Sequence, residues 1–456
     1  MGSVWQDQQP VASISHQGQE RRAQVRGPLR ELLVRRAETA SPPSRRELDA
    51  AAAGDGLEVV FQPIVSLQGG ELVGFEALAR WTHLGDGTAG DVFAHAARTG
   101  RAGALERKCI ETAVVGALDA GLPAGSAVFI NCEATTPYLR LTDSQILAHG
   151  AERFQIVFEV TERSLLTHPP DLLRKVVAMR GDGFSFALDD VGADLDSLAL
   201  LDVLAPDVIK LDLALVQSQP HYRQARTWAA VLAHHEHAGA LVLAEGIETA
   251  EHLHRALALG ATLGQGFRFG RPGPLSPGAS TGALPPAIRT QRPCVDPGSP
   301  FVAVGGNPML RRQRKDTVLA LSLALEQQAL EAPDPPMVLT AVQRAQFFTG
   351  QTRSRYQRLA AHSPLVAVFG RDVVDDLGCG IRGVRLAHGD SLESQWIVLA
   401  LGANIAAAVV SREVIDLECA SNDSDRRFDV ALTNDRALVT RVARQLLTRM
   451  LPLPAQ

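Results

Sequence analysis

Few of the usual markers of location or cofactor are present in this chain. Its cysteines, Cys109, Cys132, Cys294, Cys379 and Cys419, are scattered without paired spacing, which excludes a disulfide framework and a zinc-binding set. No apolar run is long enough to span a bilayer. The longest weakly polar stretch, "WIVLALGANIAAAVV" at 396–410, falls short of the roughly 17–25 residues required and is interrupted by Gly402 and Asn404. The N-terminus has no apolar core of a secretory signal, so a cytoplasmic protein without a membrane partner is expected. There is no basic surplus either: the net charge of −5 gives a DNA or RNA duplex no electrostatic footing. A phosphate loop is missing as well, since "AVGGNP" at 303–308 lacks the following lysine. The cluster "HHEHAG", with His234, His235 and His237, reads as a solvated helix end and not as a metal site.

At 456 residues the chain is long for one core, and its composition divides it. Residues 1–45, rich in Gln, Arg, Ser and Pro, read as a disordered tail. From 46 to 272 short β-like runs alternate with helical segments, the rhythm of an α/β fold built as a (β/α) barrel. Residues 273–300 are dense in Pro and Gly and read as a linker. Residues 301–456 mix helical and strand-like segments and predict a smaller α/β sandwich.

In a parallel barrel the functional groups collect where the strands end. Here those positions carry Glu76, Asn131, Glu159, the adjacent Asp189 and Asp190, Lys210, Glu245 and Gln265. Any one of them alone is an ordinary strand-end polar residue. Together they form a set of hard oxygen donors with one ammonium and no His or Cys, which selects Mg²⁺ or Mn²⁺. Five carboxylates around one mouth repel unless cations intervene, and two divalent ions there suit hydrolysis of a phosphodiester.

The same segments resemble the EAL-domain family. "FQPIVSLQGGELVGFEALARW", "NCEATTP", "FEVTE", "ALDDVG", "IKLD", "AEGIET" and "GQGFRF" stand in that family's order and spacing from about 57 to 271. The resemblance implies an EAL-type modified TIM (β/α)8 barrel that hydrolyses the bacterial second messenger cyclic di-GMP to linear pGpG with two Mg²⁺ or Mn²⁺. It further implies that Glu76, Asn131, Glu159 and Asp189 hold the first metal, with Asp189 and Asp190 facing the second. Lys210 would position the attacking water, Glu245 would bind metal or water on the base side, and Gln265 would hydrogen-bond near that water. Gln62 and Arg80 resemble contacts to the ligand, and Glu162 the anchor of the loop after Asp190. That loop departs from the family's "DDFGTGYSSL": Val191, Ala193, Asp194, Leu195 and Asp196 occupy its variable positions, and Asp194 would repel Glu162. Weakened turnover, or a barrel that only binds cyclic di-GMP as a receptor or scaffold, is the alternative this change keeps open. The resemblance leaves open a homodimer, since members of the family often pair through the face bearing this loop.

The C-terminal part resembles the DICT sensory domain through "LTAVQRAQFFTGQTRSRYQRLAAHSPLVAVFG", "GIRGVRLAHGDSLESQWIVLALG" and "DRRFDVALTNDRALV". This implies regulation of the barrel by an unidentified effector. Phe347, Phe348, Tyr356 and Trp396 are candidates to line its site, although aromatic residues at such spacing are more often core.

Overall fold

The computed structural model describes residues 43–84, 88–161, 168–192, 198, 201–218, 222–276, 279, 281–285, 298–306, 311–414 and 426–450. Eight strands close a barrel in sequence order: β1 Glu58–Ser66, β2 Leu72–Arg80, β3 Ala127–Asn131, β4 Gln155–Thr161, β5 Ser185–Val191, β6 Val208–Leu211, β7 Leu241–Ala244 and β8 Leu263–Gln265. From β2 onward neighbours run parallel, but β1 is antiparallel to both β2 and β8. The cause is local. Only residues 67–71 connect β1 to β2, with Gly70 at φ +75°, and so short a connection makes a hairpin where a parallel crossover needs a dozen residues or more.

Strand alternation separates a packed floor from a polar mouth. Phe129, Val157, Ala187, Val208, Leu243 and Leu263 fill the barrel interior together with Ile64 and Ala127. Two residues further along each of these strands, on the same face, stand Asn131, Glu159, Asp189, Lys210, Glu245 and Gln265. Leu284 joins the floor, so the described start of the Pro/Gly-rich stretch lies against the barrel. Gly282 donates to the Leu72 carbonyl at 2.7 Å, and Phe61 and Gly273 exchange backbone hydrogen bonds.

The second domain is a seven-stranded sheet: β9 Arg311–Arg314, β10 Met337–Arg344, β11 Val366–Arg371, β12 Ile381–Arg385, β13 Gln395–Leu401, β14 Ala406–Val414 and β15 Arg427–Thr433, in the order β12-β11-β10-β13-β14-β15-β9. The helices Lys315–Glu331 and Gly350–Ala360 cover one face, where Val318, Leu325 and Tyr356 pack with Val338 and Val398. The helix Arg436–Leu447 covers the other, where Val439 and Leu446 join Leu339 and Ile397 in a core continuous with Val176, Leu201 and Leu204 of the barrel. The expected α/β sandwich is present, seated on the barrel's flank.

Polar contacts reinforce that seat. Arg444, 6% exposed, donates to the carbonyls of Val203 and Asp202, both at 2.7 Å. Arg436 pairs with the Asp202 carboxylate, which also bonds His234 Nδ1 at 3.0 Å. His234 is therefore buried at the domain contact and not solvated as its sequence context suggests; His235 bonds the Ala240 carbonyl at 2.6 Å. No helix among the described residues is long and apolar enough to cross a membrane.

Candidate active site

Lys210 is fully buried at the centre of the barrel mouth. Its Nζ lies 2.8 Å from Glu245 Oε1, 2.9 Å from Glu159 Oε1, 3.0 Å from Asp189 Oδ1 and 3.6 Å from Glu76 Oε1. Around this ammonium the amide side chains fix one carboxylate. Asn131 Nδ2 donates to Glu76 Oε1 at 3.0 Å, and Gln265 Nε2 donates to Glu76 Oε2 at 2.7 Å and to Gln62 Oε1 at 3.1 Å. The β1–β2 hairpin places Gln62 directly opposite Glu76, and Gln265 reaches them because β8 pairs with β1.

Adjacent residues on a regular strand point to opposite faces, so the Asp189–Asp190 pair needs a local device. The register of β5 against β6 shifts between Leu188 and Val191, and Asp190 adopts φ +59°, the left-handed region that Asp tolerates better than most residues. The bulge turns both carboxylates toward the mouth: oxygens of Asp189, Asp190 and Glu245 lie within 4.8 Å of one another.

The electrostatics are unbalanced. One ammonium faces four carboxylates, with Asp190 as a fifth nearby. Burial and then Glu76 push the Glu159 carboxyl well above its ordinary range. Burial also lifts Glu245, to about 8, against the attraction of Lys210. For Glu76 burial pulls upward too, but Lys210 and the bonds from Gln265 and Asn131 outweigh it and hold the carboxyl below its usual value. Burial opposes the charge on Lys210, yet Asp189 and the three glutamates overcome that and raise it well above the ordinary lysine value. Despite the short contacts, among the described residues neither oxygen of Glu159 nor the Lys210 Nζ has a hydrogen bond of good geometry. Buried carboxylate oxygens that share a single ammonium, in surplus over it, fit hard divalent cations.

Not every residue singled out from the sequence joins this network. Arg80 is exposed at the end of β2, its guanidinium donating to the neighbouring Ala79 carbonyl at 2.8 Å. Glu76 itself lies in the middle of β2 and not at its end, because β2 continues past the mouth as the hairpin partner of β1. Glu162 and residues 193–196 lie outside the described residues.

A supporting cluster went unread in the sequence. Lys175, 4% exposed, donates to Glu106 Oε1 at 2.7 Å, to the Glu133 carbonyl at 2.6 Å and to Thr136 Oγ1 at 2.8 Å. Glu106 Oε2 in turn accepts from the Glu133 amide at 2.7 Å and from Thr136 Oγ1 at 2.6 Å. These bonds pin residues 133–136, which begin two residues after Asn131. The available signal was a lysine on an apolar helix face, three residues beyond Leu172 and one before Val176.

Comparison with known proteins identifies the families of the two domains. Residues 45–272 match the EAL domain, and residues 303–414 match the DICT domain, described as a sensory domain in diguanylate cyclases and two-component systems. An uncharacterized protein of Azorhizobium caulinodans is 34% identical over 248 residues, covering 51% of this chain and 33% of that one. The cyclic di-GMP phosphodiesterase RocR of Pseudomonas aeruginosa is 29% identical over 267 residues, covering 54% of this chain and 64% of that one. The chain thus spans less than two thirds of the length of either relative. Among solved structures, a calcium and cyclic di-GMP complex of Klebsiella pneumoniae BlrP1 is 29% identical, covers 48% of this chain and 57% of that one, and superposes with a TM-score of 0.42. With a match across half its length and the barrel and mouth described above, the chain belongs to the EAL-domain family and carries a DICT domain behind the barrel.

Proposed function

We propose that the barrel hydrolyses cyclic di-GMP to linear pGpG with the help of two divalent cations, Mg²⁺ or Mn²⁺, under the influence of the second domain. The observation that carries this reading is the convergence of Glu76, Glu159, Asp189 and Glu245 on Lys210, with Asp190 turned into the same mouth. A structural ion pair needs one carboxylate per ammonium. A surplus of buried carboxylates is stable only when protons or further positive charge neutralise it, and cations do so without taking the carboxylates out of their ionised form.

Glu76, Asn131, Glu159 and Asp189 would hold one cation, and Asp189 with Asp190 would face the other. When bound, such ions supply an acidified water and neutralise charge on the phosphoryl oxygens. Lys210, held protonated by the carboxylates around it, orients the attacking water, and Glu245 in its ionised form accepts a proton from that water. Gln265, fixed between Gln62 and Glu76, offers its buried Oε1 as an acceptor beside that position. The water oxygen bonds to phosphorus as the bond to one ribose 3′-oxygen breaks. That oxygen takes up a proton as it leaves, matching the one Glu245 removed from the water, and the opened ring is pGpG.

The test is chromatography of products after incubating the protein with cyclic di-GMP and Mg²⁺ or Mn²⁺. Formation of pGpG supports the reading. Tight binding without product sinks it and leaves a receptor, the outcome to which the altered loop sequence at 191–196 points.

A further inference from the structure

The sheet of the second domain separates two environments. Leu339, Ala341, Ile397 and Leu399 face the Arg436–Leu447 helix and the barrel, while the alternate residues of the same strands face the other way. On that far side lies a cavity of about 570 Å³, within the usual range for a small-molecule site. Thr340, Val342, Trp396 and Val398 form its floor, and Ser322 and Tyr356 reach it from the covering helices.

Three properties of the lining restrict what fits. First, its walls are aromatic. Trp396 and Phe347 border it, and the Arg426 guanidinium lies 4.7 Å from the centroid of the Phe347 ring, extending a surface suited to a flat π-system. Second, the two guanidinium groups on its wall are already matched. Arg355 Nε bonds Glu326 Oε2 at 2.7 Å; Arg426 grips both oxygens of Glu413 at 2.7 Å and also donates to Gln343 at 2.6 Å. The third cation of the lining, Lys315, is half-buried at the N-terminal end of the covering helix, so an ionised ligand lying among Ser322, Tyr356 and Trp396 would have to break the Arg355 or Arg426 pairs to find a counter-charge there, at a high desolvation cost. Third, one polar group is unsatisfied. Ser322 is 2% exposed, and its hydroxyl has no partner, one helical turn before Glu326. A buried hydroxyl without a partner is unfavourable, and a ligand with a hydrogen-bonding edge would relieve it.

We propose that this cavity binds a neutral, planar aromatic or heteroaromatic small molecule whose carbonyl or ring N–H edge hydrogen-bonds to Ser322. The site is independent of the barrel chemistry, and its test requires no turnover. Of the four aromatic residues singled out in the sequence, Phe347, Tyr356 and Trp396 line the cavity. Phe348 is core, packed edge-on against Tyr356 with ring centroids 5.6 Å apart.

The experiment is calorimetric titration of the full chain with three probes: 2-quinolone, its saturated analogue octahydro-2-quinolone, and quinoline-4-carboxylate. Saturable binding of 2-quinolone is expected, with the other two at least about tenfold weaker. Ser322→Ala should weaken 2-quinolone by about three- to tenfold without lowering the melting temperature, because the lost hydroxyl had no partner in the free protein. Val342→Trp should fill the cavity and abolish binding. If that variant does not fold, Leu323→Trp, at a position 37% exposed on the lining, makes the same test. No saturable binding of 2-quinolone, tighter binding of the carboxylate, equal binding of the saturated ring, or indifference to the filling substitution overturns the proposal.

Discussion

Two lysines are buried in the barrel, and their surroundings differ in kind. Lys175, between helix and loop, meets one carboxylate, one carbonyl and one hydroxyl, all within 2.8 Å. Its charge is matched one to one, and its three donors are satisfied. Lys210, in the barrel mouth, meets four carboxylates and has no hydrogen bond of good geometry. Both are buried ammonium groups beside glutamate, yet only the second faces more carboxylates than one ammonium can match. The excess of carboxylate over ammonium distinguishes the proposed cation site from a strut that holds a loop.

The sharpest way to break this comparison is to remove the positive charge that the mouth requires. Chelation with EDTA should eliminate pGpG formation, Mg²⁺ or Mn²⁺ should restore it, and either ion should raise the melting temperature by binding only the folded mouth. Glu76→Gln, which removes one charge and leaves the shape, should reduce turnover by at least about a hundredfold, more than is typical for a group that only supports a metal ligand. A variant with full activity in a product assay, or activity indifferent to EDTA, would place the two lysines in the same class.

Lys175 should behave in the opposite way. Lys175→Met leaves Glu106 buried without its counter-charge, so chemical denaturation should show a loss of roughly 3–5 kcal/mol. The double substitution Lys175→Met with Glu106→Leu should recover much of that loss, since replacing both members of a buried pair by apolar groups is often close to neutral. Recovery should be incomplete here, because Glu106 also accepts from the Glu133 amide and the Thr136 hydroxyl. Any effect of the double variant on turnover would act through Asn131, two residues before the pinned loop.

Much of the mouth was legible in the sequence because strand alternation is a two-residue rule. Once Val157, Ala187, Val208 and Leu243 are inward, Glu159, Asp189, Lys210 and Glu245 must follow them. Three features were not legible. The antiparallel β1 depends on hairpin closure around Gly70, and a strand's residues read alike in either direction. The placement of Asp190 depends on a bulge and a left-handed backbone, which spacing does not encode. Glu106 and Lys175 lie 69 residues apart, so their pairing emerges only when the helices pack. The second domain's seat on the barrel was equally hidden, since His234, Asp202, Arg436 and Arg444 come from segments far apart in the chain.

That seat supplies the last and smallest test, with a third buried cation. Arg444 holds the carbonyls of Asp202 and Val203 in the short helix Leu201–Leu204, ten residues or so beyond Asp190 in the same chain segment. Arg444→Met keeps most of the side chain's apolar bulk and removes the donors. The expected loss is about 1–3 kcal/mol, the range for buried acceptors left without a charged partner. Because Leu201 and Leu204 also pack into the core shared by the two domains, the contact should weaken and not separate. Hydrogen exchange at residues 201–204 should then rise in the variant, while exchange at 133–136, held by Lys175, stays unchanged. If both segments loosen together, the two struts are not independent, and the mouth is supported by one cooperative unit instead of two.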